Sequence, residues 1–266
     1  MFLILVKIFL LIPFVNGAQL CYSSCNQVIP FNTALQPPSD CTAHSNASLV
    51  CAVSVTFASN QDDHISIFYF TPSVSQSRPS FVDTEASLST GILSVHIFHE
   101  CPDCNIFENT RNIIASMQSI PNVASGVISK MRQLFPINNS TTEKIECHKG
   151  DDEKETIGNC QSCSLDTNRT DSIRSCKNNI NLVGVQLYEH TTLDDQRELG
   201  KVYVECVQSR CNTRNTAQEA LRIFAYTGLA QHYYDLSSSA TILSYSFTLI
   251  FFFMLVITNV FDCEFD

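Results

Sequence analysis

The stretch Leu20-Cys21-Tyr22-Ser23-Ser24-Cys25 opens a cysteine-rich region that continues through Cys41, Cys51, Cys101, Cys104, Cys147, Cys160, Cys163, Cys176, Cys206 and Cys211. These twelve form an even set, as closed disulfide pairing requires, and the thirteenth cysteine, Cys263, stands apart near the C-terminus. The twelve fall into two sixes separated by the cysteine-free residues 105–146. That division reads as two small stapled modules or as one module with a long insertion, and spacing alone leaves the connectivity open. A cytosolic chain seldom carries so many thiols without metal, so an oxidising compartment is expected.

The residues on either side of this region give the same address. Residues 1–15 (MFLILVKIFLLIPFV) are almost continuous hydrocarbon and lead into Gly17 and Ala18, the pattern of a secretory signal peptide over residues 1–17. At the far end, residues 240–261 carry no charge and are long enough to reach across a bilayer core. They follow the small residues Ser237, Ser238 and Ser239, so that a small site, a short spacer and an apolar tail occur in the order of a glycosylphosphatidylinositol (GPI) attachment signal over 240–266. The competing reading is a single-pass type I helix. A stop-transfer helix is usually followed by Lys or Arg, whereas the tail 262–266 (DCEFD) is acidic. Sequons at Asn46, Asn138, Asn139 and Asn168 are candidate glycosylation sites.

The chain has 16 Lys+Arg against 26 Asp+Glu, a formal charge of -10. Taking away Lys7 with the signal and the three acids of the tail leaves the ectodomain at -8. A surface of that sign repels polyanions, which excludes nucleic acid as a partner.

Period-2 alternation predicts strands at 50–57 (VCAVSVTF), 64–70 (HISIFYF) and 91–98 (GILSVHIF), with 71–90 as a Ser/Pro/Thr-rich loop. In the second half, 182–188 (LVGVQLY) and 201–204 (KVYV) read as strands joined by a long hairpin tip. Between the sixes, Ile113, Ile114, Met117, Ile120, Val123, Val127, Ile128, Met131 and Leu134 recur at three- and four-residue steps, predicting two amphipathic helices broken at Pro121. Thr216 with Glu219 forms a capping box for a last helix over 217–226.

The fold class expected is therefore small disulfide-rich β with a helical linker and a C-terminal membrane-anchoring segment. Its parts are a first cysteine-rich module at 19–105, the linker at 106–146, a second module at 147–213 and a stalk at 214–239.

Two motifs invite chemistry. Cys101-Pro-Asp-Cys104 and Cys160-Gln-Ser-Cys163 have the spacing of a redox dithiol, but neither opens a helix in a βαβ setting, so structural disulfides are expected. His96, His99, Cys101 and Cys104 offer four zinc ligands within nine residues. Strand alternation sends His96 and Cys101 to opposite faces, and oxidation removes the thiolates. The acid groups Asp62-Asp63, Asp151-Asp152-Glu153 and Asp194-Asp195 lack calcium-loop spacing and read as solvated turns. No catalytic residue, metal or cofactor is assigned, and the chain is not read as an enzyme; a secreted thiol oxidoreductase using Cys101 and Cys104 is the least favoured alternative.

The opening Leu20-Cys21-Tyr22-Ser23-Ser24-Cys25 resembles the start of Ly6/uPAR (three-finger) domains, and Cys206-Val-Gln-Ser-Arg-Cys211-Asn212 resembles their terminal Cys-x4-Cys-Asn; Cys101-Pro-Asp-Cys104-Asn105 is a shortened form of the same ending. The resemblance implies two tandem modules of β-hairpin fingers on a disulfide knot, with Asn212 tying the last strand into that knot. It further implies a non-catalytic protein held at the cell surface that recognises an extracellular or membrane protein partner. The chain departs from the pattern where Glu205, rather than a cysteine, precedes Cys206.

Overall fold

The computed structural model describes residues 20–236 except 24, 32, 38, 40, 46–49, 61–63, 71–79, 102–104, 138–143, 152, 181–182, 192–196, 232–233 and 235. The signal peptide, Asn46, Asn138, Asn139, Cys104, Ser237, Ser238, Ser239 and the apolar tail lie outside the described residues. Among those described, no helix is long and apolar enough to cross a membrane.

The protein is mostly antiparallel β. In chain order the strands are β1 (Leu20–Ser23), β2 (Cys25–Pro30), β3 (Thr42–Ser45), β4 (Cys51–Ala58), β5 (His64–Phe70), β6 (Phe81–Ser87) and β7 (Ile92–Cys101) in the first half. The second half adds β8 (Ile145–Lys149), β9 (Glu155–Cys160), β10 (Ser162–Thr167), β11 (Ser172–Lys177), β12 (Gly184–Thr191) and β13 (Arg197–Cys206). Helices α1 (Ile106–Met117) and α2 (Ile120–Leu134) lie between the halves, and α3 (Arg214–Tyr226) follows β13.

Nine strands form one sheet in the order β11-β10-β13-β12-β6-β7-β4-β5-β2, while β1-β3 and β8-β9 form separate ribbons. The two cysteine sets meet where β6 pairs with β12 from Ser87↔Gly184 to Phe81↔His190. At that seam the backbones are close enough that a Cβ on Gly184 would lie 2.1 Å from the Ala86 carbonyl oxygen, which explains a glycine there.

The loop expected at 71–90 is corrected by β6. Its alternation is real, with Val82, Thr84 and Ala86 turned inward and buried, but the inward residues are small and the outward ones include Asp83 and Glu85, so its sequence reads as polar. The helix break also moves: it falls at Gln118 and Ser119, and Pro121 sits in the first turn of α2, where its missing N–H costs nothing. Helix α3 starts earlier than expected. Its cap is Thr213, whose hydroxyl accepts from the Thr216 N–H at 3.0 Å, and Glu219 pairs with Arg222 instead of closing a capping box.

One buried apolar cluster runs through both halves. It combines Val53, Val55, Phe57, Ile65, Ile67, Leu93 and Val95 with Leu165, Val185, Leu187, Val202 and Val204, and takes in Met117, Val127, Met131, Leu221 and Phe224 from the helices. The helices thus cover one face of the sheet. Residues expected as a stalk also pack onto the body, with Leu229, Ala230, Tyr234 and Leu236 buried after α3.

Candidate functional site

The described bridges are Cys21–Cys51, Cys25–Cys41, Cys147–Cys163, Cys160–Cys176 and Cys206–Cys211, and Cys101 is also disulfide-bonded. Each of the five joins cysteines of the same six. The sulfurs of Cys147, Cys160 and Cys176 lie within 4.8 Å of one another. That cluster reflects two neighbouring cystines, whose oxidised sulfurs are not the thiolates that metal binding needs.

Asn212 is buried beside these bridges. Its Oδ1 accepts from the His148 N–H at 2.9 Å, and its Nδ2 donates to the carbonyls of His148 at 2.9 Å and Ser164 at 3.3 Å. One amide thereby pins β8 to β10 and to the segment after β13. Next to it the buried Arg174 donates to the carbonyls of Gly150, Asp151 and Asn212 and pairs with Glu153, so two of the acids expected in a solvated turn serve this knot. Asn168 occupies the β10–β11 turn, where its Oδ1 accepts from the N–H groups of Thr170 at 2.8 Å and Asp171 at 2.7 Å.

The histidines of the proposed zinc set separate as strand alternation requires. His96 lies on the outer face, with Nε2 2.7 Å from Ser54 Oγ, whereas His99 points inward, with Nε2 2.9 Å from Asn109 Nδ2 of α1.

The outer face of the sheet, opposite the helices, carries the strongest candidate for function. Rings form a continuous series across four strands. Phe68 stacks on Phe70 at 5.4 Å, Phe70 meets Phe98 at 5.8 Å, Phe98 stacks on Phe81 at 5.2 Å, and Phe81 meets Tyr188 at 5.1 Å. Strand pairing explains the alignment, because Phe81 sits opposite Phe98 on one side and His190 on the other. Phe68 is 45% exposed, and Val28 on the edge strand β2 is 63% exposed, so the series ends in open apolar surface.

Asp83 and Glu85 lie beside the rings on the same face of β6. Asp83 Oδ2 accepts from Gln186 Nε2 at 2.8 Å, while its buried Oδ1 has no hydrogen-bond partner among the described residues. Burial raises both carboxyls above their ordinary values; for Asp83 the Gln186 bond and the charges of His96 and Lys201 oppose the rise, and for Glu85 the Asp83 charge adds to it. Burial pushes the neighbouring His96 down. Farther along the face, Glu205 is fully buried and accepts from Ser162 at 2.9 Å, Tyr203 at 2.7 Å and Lys177 at 3.1 Å. Glu205 thus ties β13 to β10 and β11 through polar bonds.

A groove of about 500 Å³ separates the segment 33–37 from α1, lined by Phe31, Leu35, Pro37, Phe107, Ile114 and Arg111. Among the described residues the groove groups no nucleophile with a base, whereas on the outer face the Ser54 hydroxyl and the His96 imidazole are in hydrogen-bond contact. The strand seam and the Phe81–Tyr188 contact across it were beyond sequence reasoning because they join residues about a hundred positions apart; the outward Phe68, Phe70 and Phe98 were the only available signal.

No family model matches the chain, and no curated protein or solved structure matches it either.

Proposed function

We propose that the chain is a GPI-anchored extracellular protein of the cell surface whose disulfide-stapled body is a non-catalytic binding module for a protein partner. The observation that carries this reading is the outer face: apolar rings and carboxylates held on a rigid sheet, with the helices on the opposite side. Surfaces of that composition serve recognition, since aromatic rings supply contact area at small entropic cost.

A three-finger origin in two tandem modules is supported by the bridges within each six and by the three hydrogen bonds of Asn212. The bonded state of Cys101 favours a structural role over a resting dithiol. Secretion and lipid attachment at Ser237, Ser238 or Ser239 rest on the terminal sequences and agree with the oxidised cysteines.

Cells displaying the full chain, treated with phosphatidylinositol-specific phospholipase C, should release it into the medium. Retention would establish the single-pass type I helix instead, and two free thiols at Cys101 and Cys104 in the secreted body would favour the oxidoreductase.

A further inference from the structure

We propose that the groove between α1 and the segment 33–37 binds a long-chain carboxylate, with the acid group on Arg111 and the hydrocarbon tail running along Ile114 and Ala115. This site lies on the helix side of the sheet, apart from the outer face. It adds a small-molecule ligand to the binding-module reading without depending on it.

Shape is the first ground. The cavity of about 500 Å³ falls within the roughly 300–1,000 Å³ of small-molecule sites. Its helical wall follows one face of α1 from Phe107 through Arg111, Ile114 and Ala115 to Gln118, a length of about 16 Å. A channel of that length suits an extended chain better than a compact ring. Both walls are held independently of any ligand. Phe31 is buried and meets Phe57 edge-on at 5.2 Å, the Thr33 N–H donates to the Pro30 carbonyl at 3.0 Å, and Cys25–Cys41 closes the loop that carries residues 33–37. On the other side Phe107, Ile114 and Met117 bury α1 into the core. A groove formed in advance spares the ordering cost of binding.

Charge selects the head group. Among the described residues that line the groove, Arg111 alone is charged. Its guanidinium lies back over Phe107, 5.3 Å from the ring centre, as helical side chains lean toward the N-terminus. The cation therefore stands at one end, and the apolar side chains of Ile114 and Ala115 continue beyond it toward Gln118. Arg111 Nη1 donates to the two Glu108 oxygens at 3.3 and 3.2 Å, while Nε and Nη2 have no partner among the described residues. The pair with Glu108 is exposed and weak in water, and the free edge of the guanidinium matches a carboxylate. A doubly charged phosphate would be repelled more strongly by the adjacent Glu108, which leaves the singly charged acid as the better head. Burial of the tail supplies the affinity, and Arg111 fixes its direction.

Cells producing the full chain are given a photoactivatable, clickable dodecanoate and irradiated, and the labelled protein is digested and mapped by mass spectrometry. Adducts should fall on residues 31–37 and 107–118. Unlabelled dodecanoate should displace them, and dodecanol or dodecyltrimethylammonium should compete about tenfold less well, as the loss of one charge-assisted contact implies. Arg111→Gln should lower labelling by about the same factor, and Arg111→Lys should restore part of it. Ala115→Trp, which fills the groove from its solvent side, should abolish it. Arg111 and Ala115 are both exposed, so these variants should be produced in native amounts.

Adducts spread over the whole body would overturn the proposal, as would equal competition by dodecanol or labelling indifferent to Arg111→Gln. A photoactivatable residue at position 115 that cross-links to a polypeptide, with no competition from dodecanoate, would make a protein segment the occupant and overturn it too.

Discussion

The hydroxyl of Tyr234 donates to the carboxylate of Glu189 across 2.6 Å, and both side chains are buried. Glu189 lies in β12 and Tyr234 close to the end of the described chain, so the bond fastens the C-terminal segment to the sheet. Gln218 adds a second fastening, donating to the Tyr234 carbonyl and accepting from the Leu236 N–H, both at 2.6 Å. Arg197 lies 3.6 Å from the other oxygen of Glu189. The body is therefore packed up to Leu236, one residue short of the proposed attachment serines.

Tyr234→Phe keeps the ring and removes the donor, leaving a buried carboxylate with the Gln231 N–H at 3.3 Å on that oxygen. An unsatisfied buried acceptor costs about 1–3 kcal/mol, more when charged. Denaturant unfolding should show a loss of that size, and limited proteolysis should cut first within residues 229–236.

Asn212→Asp keeps the shape of the side chain but loses both donors and brings a charge to a buried site. The carbonyls of His148 and Ser164 then face a carboxylate, and destabilisation on the order of 3 kcal/mol follows. Asn212→Ala should cost less than Asp, because no charge is buried. The ordering, read by thermal unfolding at pH 7, is the check.

Gly184→Ala tests the joint between the two cysteine sets. The added methyl meets the Ala86 carbonyl at 2.1 Å, so one of the paired backbones must shift. Overpacking of this kind costs on the order of 3 kcal/mol. Amide hydrogen exchange should accelerate in β6 and β12 before β4 and β5; uniform acceleration would mean that the halves unfold as one unit.

What could be read from the sequence follows from what each element buries. Strands β4, β5 and β7 were visible because branched and aromatic residues alternate there, and α1 and α2 because their apolar residues return every three or four positions. Strand β6 was hidden by Asp83 and Glu85 on its outward side. Strands β8 to β11 were hidden because Cys147, Cys160, Cys163 and Cys176 bury themselves as cystines, leaving few apolar side chains to mark a period. The polar ties also escaped notice: Glu205 appeared only as a missing cysteine, and its partners Lys177 and Ser162 come from other strands. Spacing left two modules or one interrupted module open, and the single apolar cluster through both halves was not legible because it depends on the β6–β12 pairing that joins their inner faces.

With such a core, individual cystines should differ in weight. Cys21–Cys51 closes a separation of 30 residues and Cys206–Cys211 one of 5. Loop-closure entropy assigns roughly 3.7 kcal/mol to the first and roughly 2 kcal/mol to the second. Paired Cys→Ser variants should rank in that order by denaturant midpoint; the reverse ranking would mean that native-state packing rather than the unfolded chain sets their effect.

The outer face should also respond to acid in two opposing ways. The carboxyls of Asp83 and Glu85 titrate above their ordinary 3.8 and 4.5 in the folded chain, so their contribution to stability is fully present below those values and is lost as pH rises through the folded pKa. His96 titrates below its ordinary 6.5, so its contribution is present above 6.5 and is lost as pH falls through its folded pKa. Between about pH 4 and 6.5 the two slopes oppose each other in the native protein, and single variants separate them. Asp83→Asn keeps an acceptor for Gln186 and removes a desolvated charge, so its melting temperature should exceed the native value at pH 7.5 and the advantage should shrink toward pH 4. His96→Gln should behave in the opposite sense, gaining on the native protein as pH falls below 6.5. Melting curves of the three proteins that run parallel from pH 4 to 7.5 would show that neither group is coupled to folding.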